Sequence, residues 1–192
     1  MALYTGMRRS ELLGLPWKDV DLYLAQLSVT QTLHRLSSGG FVFGKPKTVK
    51  SRRTIALPPT VCILLRQLKE RQIGERLLLG LKLQGDDLVF AKPDGKLLDP
   101  STITHTFRRI IKRAGLPRLR FHDLRHTHAS LMLKQGVHPK IVSERLGHSS
   151  IGITLDTYSH VMPGLQEAAA LRFEEGLRQA PQQSVEEMLA NG

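Results

Sequence analysis

Four short stretches of the chain hold side chains whose types and spacing could do chemistry. In Thr5-Gly6-Met7-Arg8-Arg9-Ser10-Glu11, a carboxylate follows an arginine by three residues. Residues three apart share a helix face, so Glu11 could hold the Arg8 guanidinium in place. The same pair on an open surface would be an ion pair of little energetic worth. Gly44 to Arg53 places five cations (Lys45, Lys47, Lys50, Arg52 and Arg53) in ten positions with no acid among them. Uncompensated charge in a turn between strands suits phosphate contact better than simple solvation. Phe121 to His128 carries His122, Arg125 and His126 on one helical face. A guanidinium fork binds two phosphate oxygens and an imidazole moves a proton. His126 and His128 read as structural, one of them pointing into the core. The fourth stretch runs from Leu146-Gly147-His148 to Tyr158 and His160. Gly147 leaves His148 at a helix boundary, and Tyr158 taken alone reads as a half-buried core residue with its hydroxyl satisfied.

The elements that must position these groups follow from periodicity and punctuation. A short helix spans Arg8 to Gly14, with Leu12 and Leu13 inward. Residues 25–33 alternate apolar and polar and predict a strand. Phe41–Lys47 and Arg53–Leu57 predict two more, joined by the basic turn Thr48 to Arg52. Pro58-Pro59-Thr60 ends this sheet and opens a helix over 61–72, with a second apolar piece at 75–84. Further helices are predicted at Pro100–Ala114, His122–Gln135, Pro139–Leu146, Ser149–Tyr158 and Pro163–Arg178, where glycines and prolines mark the ends. The expected fold class is α+β, mainly α-helical with a small three-stranded antiparallel sheet.

Composition sets the outer limits. The chain has 192 residues and a net charge of +11, with 41% hydrophobic residues, a globular balance with room for one core. No apolar run reaches the ~20 residues of a membrane span. The single cysteine excludes a disulfide framework and a cysteine-based zinc finger. The cations are unevenly spread. Residues 1–60 hold nine basic and three acidic residues and residues 101–160 hold ten and three, whereas 161–192 are net acidic. Two basic blocks point to a polyanionic partner, most simply nucleic acid.

Taken together and in order, the stretches TGMRRSELLGLPWKDVDL, KPKTVKSRRTIALP, FHDLRHTHASLML and ERLGHSSIGITLDTYSHV closely resemble the tyrosine recombinase (phage integrase) family, from about Ala2 to about Arg178. The resemblance implies a site-specific DNA recombinase or integrase catalytic domain that cuts and rejoins strands through a 3′-phosphotyrosine, without metal, ATP or other cofactor. Tyr158 would be the nucleophile. Arg8 and Arg125 would grip the non-bridging phosphate oxygens, and His148 would hydrogen-bond the phosphate. His122 would serve as general acid/base near the phenol, Lys47 would protonate the leaving 5′-oxygen, and Glu11 would support Arg8. Lys45, Lys50, Arg52 and Arg53 would contact DNA. The partners implied are double-stranded DNA and other protomers, four on one DNA assembly, in the cytoplasm of a bacterial or phage-infected cell and with no membrane. By the same resemblance residues 1–180 form the catalytic domain, shortened at its N-terminus, residues 181–192 a polar tail, and the family's core-binding and arm-binding domains are absent. The C-terminal helix would pack on its own core or on a neighbouring protomer.

Two other readings make different demands. A non-catalytic DNA-binding module would use Ile141 to Tyr158 as a helix-turn-helix with His148-Ser149-Ser150 in the turn. A zinc hydrolase would use His122 and His126, a loose imitation of H-E-x-x-H, but Arg125 would place a fixed cation beside the metal.

Overall fold

The computed structural model describes residues 1–45, 51–158 and 165–179. A single helical turn, α1 (Ala2–Thr5), ends at Gly6 in the left-handed region (φ 64°), and α2 (Arg9–Leu13) follows. A 3-10 turn at Trp17–Asp19 leads into β1 (Val20–Asp21). Then come β2 (Gln26–Val29), β3 (Thr32–Arg35), β4 (Phe41–Gly44) and β5 (Arg53–Ala56). The helices α3 (Pro59–Leu78), α4 (Pro100–Arg113), α5 (Asp123–Lys134), α6 (Pro139–Leu146), α7 (Ile151–Tyr158) and α8 (Leu165–Gln179) complete the described chain.

The expected three-stranded antiparallel sheet is present, but its order is β1-β2-β5, and β3 and β4 form a separate hairpin. The predicted strand at 25–33 is broken at Thr30-Gln31. There Gln31 turns its amide to donate to the Gly14 carbonyl at 2.8 Å, so the side chain pins the bend to the end of α2. On either side the pairing is regular: Leu27 faces Ile55 and Leu33 faces Phe43. Period-two alternation puts Leu27 and Val29 on the buried face with Ile55. The two-residue strand β1 gave no period to read.

The predicted helices over 61–72 and 75–84 are instead one helix through Leu78, α3. Gly74 weakens a helix interior by about 1 kcal/mol, but anchors on both sides carry the helix past it. Gln72 accepts from the Trp17 indole at 2.7 Å and donates to the Val89 carbonyl. Arg76 pairs with Asp87 at 2.6 Å. α4 begins with Pro100 after an Asp99 cap that accepts from the Ser101 amide at 2.7 Å.

There are two apolar centres. The larger joins Met7, Leu15 and Trp17 to the β-sheet, to Val61 and Leu65 of α3, and to Val89. The smaller joins α5, α6 and α7 through Ala129, Leu133, Val142, Leu146 and Tyr158. Arg145 fastens one to the other. Its Nη2 donates to the Tyr4 and Ala56 carbonyls, both at 3.0 Å, and its Nε reaches Nε2 of the buried His128 at 3.2 Å.

His128 is the core histidine that the sequence suggested. Burial, then the charge of Arg145, pushes its pKa down to about 4, against about 6.5 in an unfolded chain. Between those values the unfolded state binds a proton that the folded state refuses. Stability therefore falls as pH drops from 6.5 towards 4, by about 3 kcal/mol at most. Urea midpoints measured across this range should show that slope, and His128→Gln should reduce it by the His128 share, leaving that of the similarly shifted His148.

Candidate active site

Glu11 is the anchor of the site. It is 2% exposed and both carboxylate oxygens are occupied. Oε2 accepts from the Arg8 amide at 2.8 Å and from Arg53 Nη2 at 3.0 Å, and Oε1 accepts from Arg8 Nη1 at 2.9 Å and Arg53 Nη1 at 3.1 Å. Burial alone would raise its pKa, but the hydrogen bonds and charge of Arg53, with Arg8 behind, hold it below the usual carboxylate range. The Arg8–Glu11 pair is therefore no surface ion pair. The carboxylate fixes the Arg8 guanidinium, which remains 37% exposed at the lip of an open cavity of about 680 Å³.

Arg53 departs from its expected role. Its side chain is only 6% exposed. Besides Glu11 it donates to the Arg145 carbonyl at 2.6 Å and the Ser51 carbonyl at 3.1 Å. A guanidinium has five N–H donors, and these contacts use four, so Arg53 organises the site rather than reaching for DNA. Lys45 and Arg52 are exposed at the two ends of the basic loop. Lys47 and Lys50, the expected leaving-group acid and a DNA contact, lie outside the described residues.

Arg125 draws three distant motifs together. Its Nη1 donates to the Gly6 carbonyl at 2.7 Å and its Nη2 to the Leu146 carbonyl at 2.8 Å. It is 4% exposed. Burial, then the nearby positive charge of Arg8, pushes its pKa down to about 9, with Glu11 pulling the other way. It stays a cation at neutral pH, and three of its five donors are not used by these two carbonyls. Both neighbouring glycines are required by geometry. At Gly6 a Cβ would sit 2.7 Å from the His128 ring. At Gly147 (φ 68°) it would sit 2.9 Å from the held Arg53 guanidinium. Gly147→Ala should therefore cost about 1–3 kcal/mol of stability, from left-handed strain and displacement of Arg53, readable as a lower urea midpoint.

His148 follows Gly147 and is oriented by Thr154, a fully buried hydroxyl 2.8 Å from its Nδ1. Burial, then the cations Arg125, Arg8 and Arg53, pushes its pKa down to about 4. His148 is thus a neutral imidazole that can donate or accept at Nε2, and it lines a second cavity of about 440 Å³ with Arg52, Arg53 and Lys140. His122 occupies the N-cap position of α5, its side chain making no cap hydrogen bond, and lines the first cavity with Arg8. Burial, then the charges of His126, Arg125 and Arg8, lowers its pKa.

Tyr158 ends α7, 2% exposed, its phenol oxygen 2.9 Å from His126 Nδ1. Burial raises its pKa against the pull of Arg125. Its surroundings are those of a satisfied core tyrosine, yet it interacts electrostatically with Arg125, which also feels Arg8, Arg53 and Glu11. The structure thus brings Arg8, Glu11, His122, Arg125, His148 and Tyr158 into one neighbourhood. It adds Arg53, Thr154 and His126, which sequence reasoning assigned elsewhere or passed over. The signal for His126 was its four-residue offset from His122.

The two other readings fit less well. Among the described residues no three His, Cys, Asp or Glu side chains lie close enough to share a metal ion; His128 turns away from His122 and His126 to meet Arg145. Helices α6 and α7 do flank a turn at 147–150, but Thr154 and Tyr158 of α7 are buried, and His148 of the turn is oriented by Thr154. Among the described residues no helix is long and apolar enough to cross a membrane.

Both the sequence and the fold are similar to those of known proteins. The chain is 36% identical over 174 residues to a XerC-like tyrosine recombinase of Caldanaerobacter subterraneus subsp. tengcongensis, covering 85% of this chain and 44% of that protein. It is 34% identical over 178 residues to the ICEBs1 integrase of Bacillus subtilis, covering 91% and 47%. The chain thus spans a little under half the length of these relatives. Among solved structures, the Tn1549 transposon integrase (residues 82–397) in complex with circular intermediate DNA superposes with a TM-score of 0.75 at 27% identity, covering 90% of this chain and 57% of that one. Residues 1–164 match the phage integrase family, and the chain belongs to that family.

Proposed function

We propose that this chain is the catalytic part of a site-specific DNA recombinase that cuts and rejoins double-stranded DNA through a 3′-phosphotyrosine. The observation that carries the reading is the convergence of two guanidiniums, Arg8 and Arg125, on the neighbourhood of one tyrosine. Both are held in place, Arg8 by the buried carboxylate of Glu11 and Arg125 by the carbonyls of Gly6 and Leu146. Solved relatives in complex with transposon DNA support a duplex as the partner.

In this reading the Tyr158 oxygen attacks the scissile phosphorus. Negative charge building on the non-bridging oxygens meets Arg8 and Arg125, donors already in place before the reaction. Neutral His148 adds a hydrogen bond. The 5′-oxygen is a poor alkoxide leaving group and takes a proton from an acid, a part we assign to Lys47. The covalent intermediate keeps the phosphodiester energy, and the 5′-hydroxyl of another strand reverses the step to complete exchange. Such exchange needs several protomers on one DNA, and we infer a tetrameric assembly in the cytoplasm of a bacterial or phage-infected cell.

The test begins with a pool of random-sequence nicked duplexes. The chain is incubated with the pool, adducts that survive denaturation are recovered, the DNA is sequenced and the modified peptide mapped. A shared sequence joined through its 3′-phosphate to the peptide containing Tyr158 is the expected result. Salt-sensitive retention of duplexes with no adduct would instead describe a binding module.

A further inference from the structure

The phenol of Tyr158 does not meet His122, the imidazole expected to serve it. It meets His126, whose ring lies 5.8 Å from the phenol ring at a 55° tilt, with Nδ1 2.9 Å from the oxygen. On its other side the His126 ring stands edge-on to His122, centroids 4.9 Å apart and planes at 84°. His126 thus sits between the nucleophile and the histidine facing the Arg8 cavity. A buried phenol holds its proton, and a base that removes it must be within about 2.6–3.2 Å. His126 meets that condition.

Resting on the recombinase reading, we propose that His126 is the residue that receives the Tyr158 proton, which leaves His122 to serve the phosphate side of the site. The step balances simply. The Tyr158 O–H bond breaks and an N–H bond forms at His126 Nδ1. The phenol oxygen bonds to phosphorus as the bond from phosphorus to the 5′-oxygen breaks. That oxygen takes a proton from the ammonium acid on its own side, assigned above to Lys47. On religation the His126 imidazolium returns its proton to the departing phenolate.

The charged and titratable groups facing His126 are His122 at the N-cap of its helix, Asp123 in the first turn, Tyr158 on α7 and His148 in the turn before α7, with Arg125 its neighbour in the chain.

Two measurements on the 192-residue chain decide the matter. In the first, ¹⁵N-histidine NMR near neutral pH reads the tautomer of His126, assigned with His126→Asn. The expected result is an unprotonated Nδ1 that accepts from the phenol; a protonated Nδ1 that donates to it overturns the proposal. In the second, single-turnover cleavage is followed on the duplex recovered from the random pool, made with an oxygen or a sulfur leaving group at the 5′ position. Asn can place its amide oxygen where Nδ1 stands, and so holds the phenol but takes no proton. His126→Asn is expected to cleave about 10²-fold or more slowly with both leaving groups and to lose the acidic limb of the pH–rate profile, with duplex retention unchanged. Full rate in His126→Asn would make His126 a holder only. Rescue by sulfur would place it on the leaving group. Either result overturns the proposal, as does survival of the acidic limb. Loss of folding in the variant would show in its far-ultraviolet circular dichroism, and the wild-type NMR result then decides alone. Failure of the recombinase reading looks different: wild type forms no adduct at all, and the tautomer measurement still reports whether His126 accepts.

Discussion

Tyr158→Phe is expected to abolish the covalent protein–DNA adduct entirely while the protein still folds and still retains duplex DNA. This is the largest effect expected of any single atom in the chain, because the oxygen removed is the one proposed to bond to phosphorus. The structural cost is small. The ring stays in the apolar centre with Leu133, Val142 and Leu146, and the loss is one neutral hydrogen bond to His126, about 1 kcal/mol. The chain has three tyrosines. Tyr23 is 94% exposed on the turn between β1 and β2, and Tyr4 is half exposed on α1, so neither competes for the site. The measurement is a denaturing gel of wild type and variant with the recovered duplex, beside a urea titration. An adduct that persists in the variant would place the nucleophile elsewhere and sink the assignment.

Glu11→Ala is expected to have the second largest effect, acting on stability and activity together. Glu11 accepts four hydrogen bonds from two arginines at near-complete burial. Removing one partner of a buried ion pair costs about 3–5 kcal/mol, because the other charge is left unmet, a large part of the stability of an ordinary domain. The urea midpoint should fall accordingly. A double variant separates structure from function. Glu11→Leu with Arg53→Met replaces the buried charges with apolar groups and should recover much of the loss. It should not restore adduct formation, since Arg8 no longer has a carboxylate to hold its fork. Acid is expected to act on the same group. The Glu11 carboxyl is held below its unfolded pKa, so its contribution is complete above about pH 4.3 and is lost as pH falls through the folded value.

The candidate site was legible in the sequence where it depended on residue type and order. Arg8, Glu11, His122, Arg125, His148 and Tyr158 were picked out together by the resemblance of their stretches to one family, and the fold places them near one another. Helices with clear punctuation were legible too: α4 and α6 start and stop close to where Pro100, Pro139 and Gly147 place them. What could not be read was direction. Arg53 sits in a run of cations and looks like its neighbours, but the strand turns it inward to Glu11. His126 and His122 share a face by spacing, yet only the packing of α7 against α5 decides which one meets the phenol. The bend at Thr30-Gln31 and the continuity of α3 through Gly74 rest on side chains far away in sequence, which no local pattern contains.

The two carbonyl bonds of Arg125 reach beyond catalysis. They tie residue 125 to residue 6 on one side and residue 146 on the other, so the site has no local precursor. Arg8 comes early in the chain, Arg125 is not clamped until residue 146 is in place, and Tyr158 follows twelve residues later. On the proposed function, the groups that would cut a strand come together only through the contacts that complete this fold, and a polypeptide stopped before residue 146 would keep Arg8 and Glu11 without a clamped Arg125 or a Tyr158.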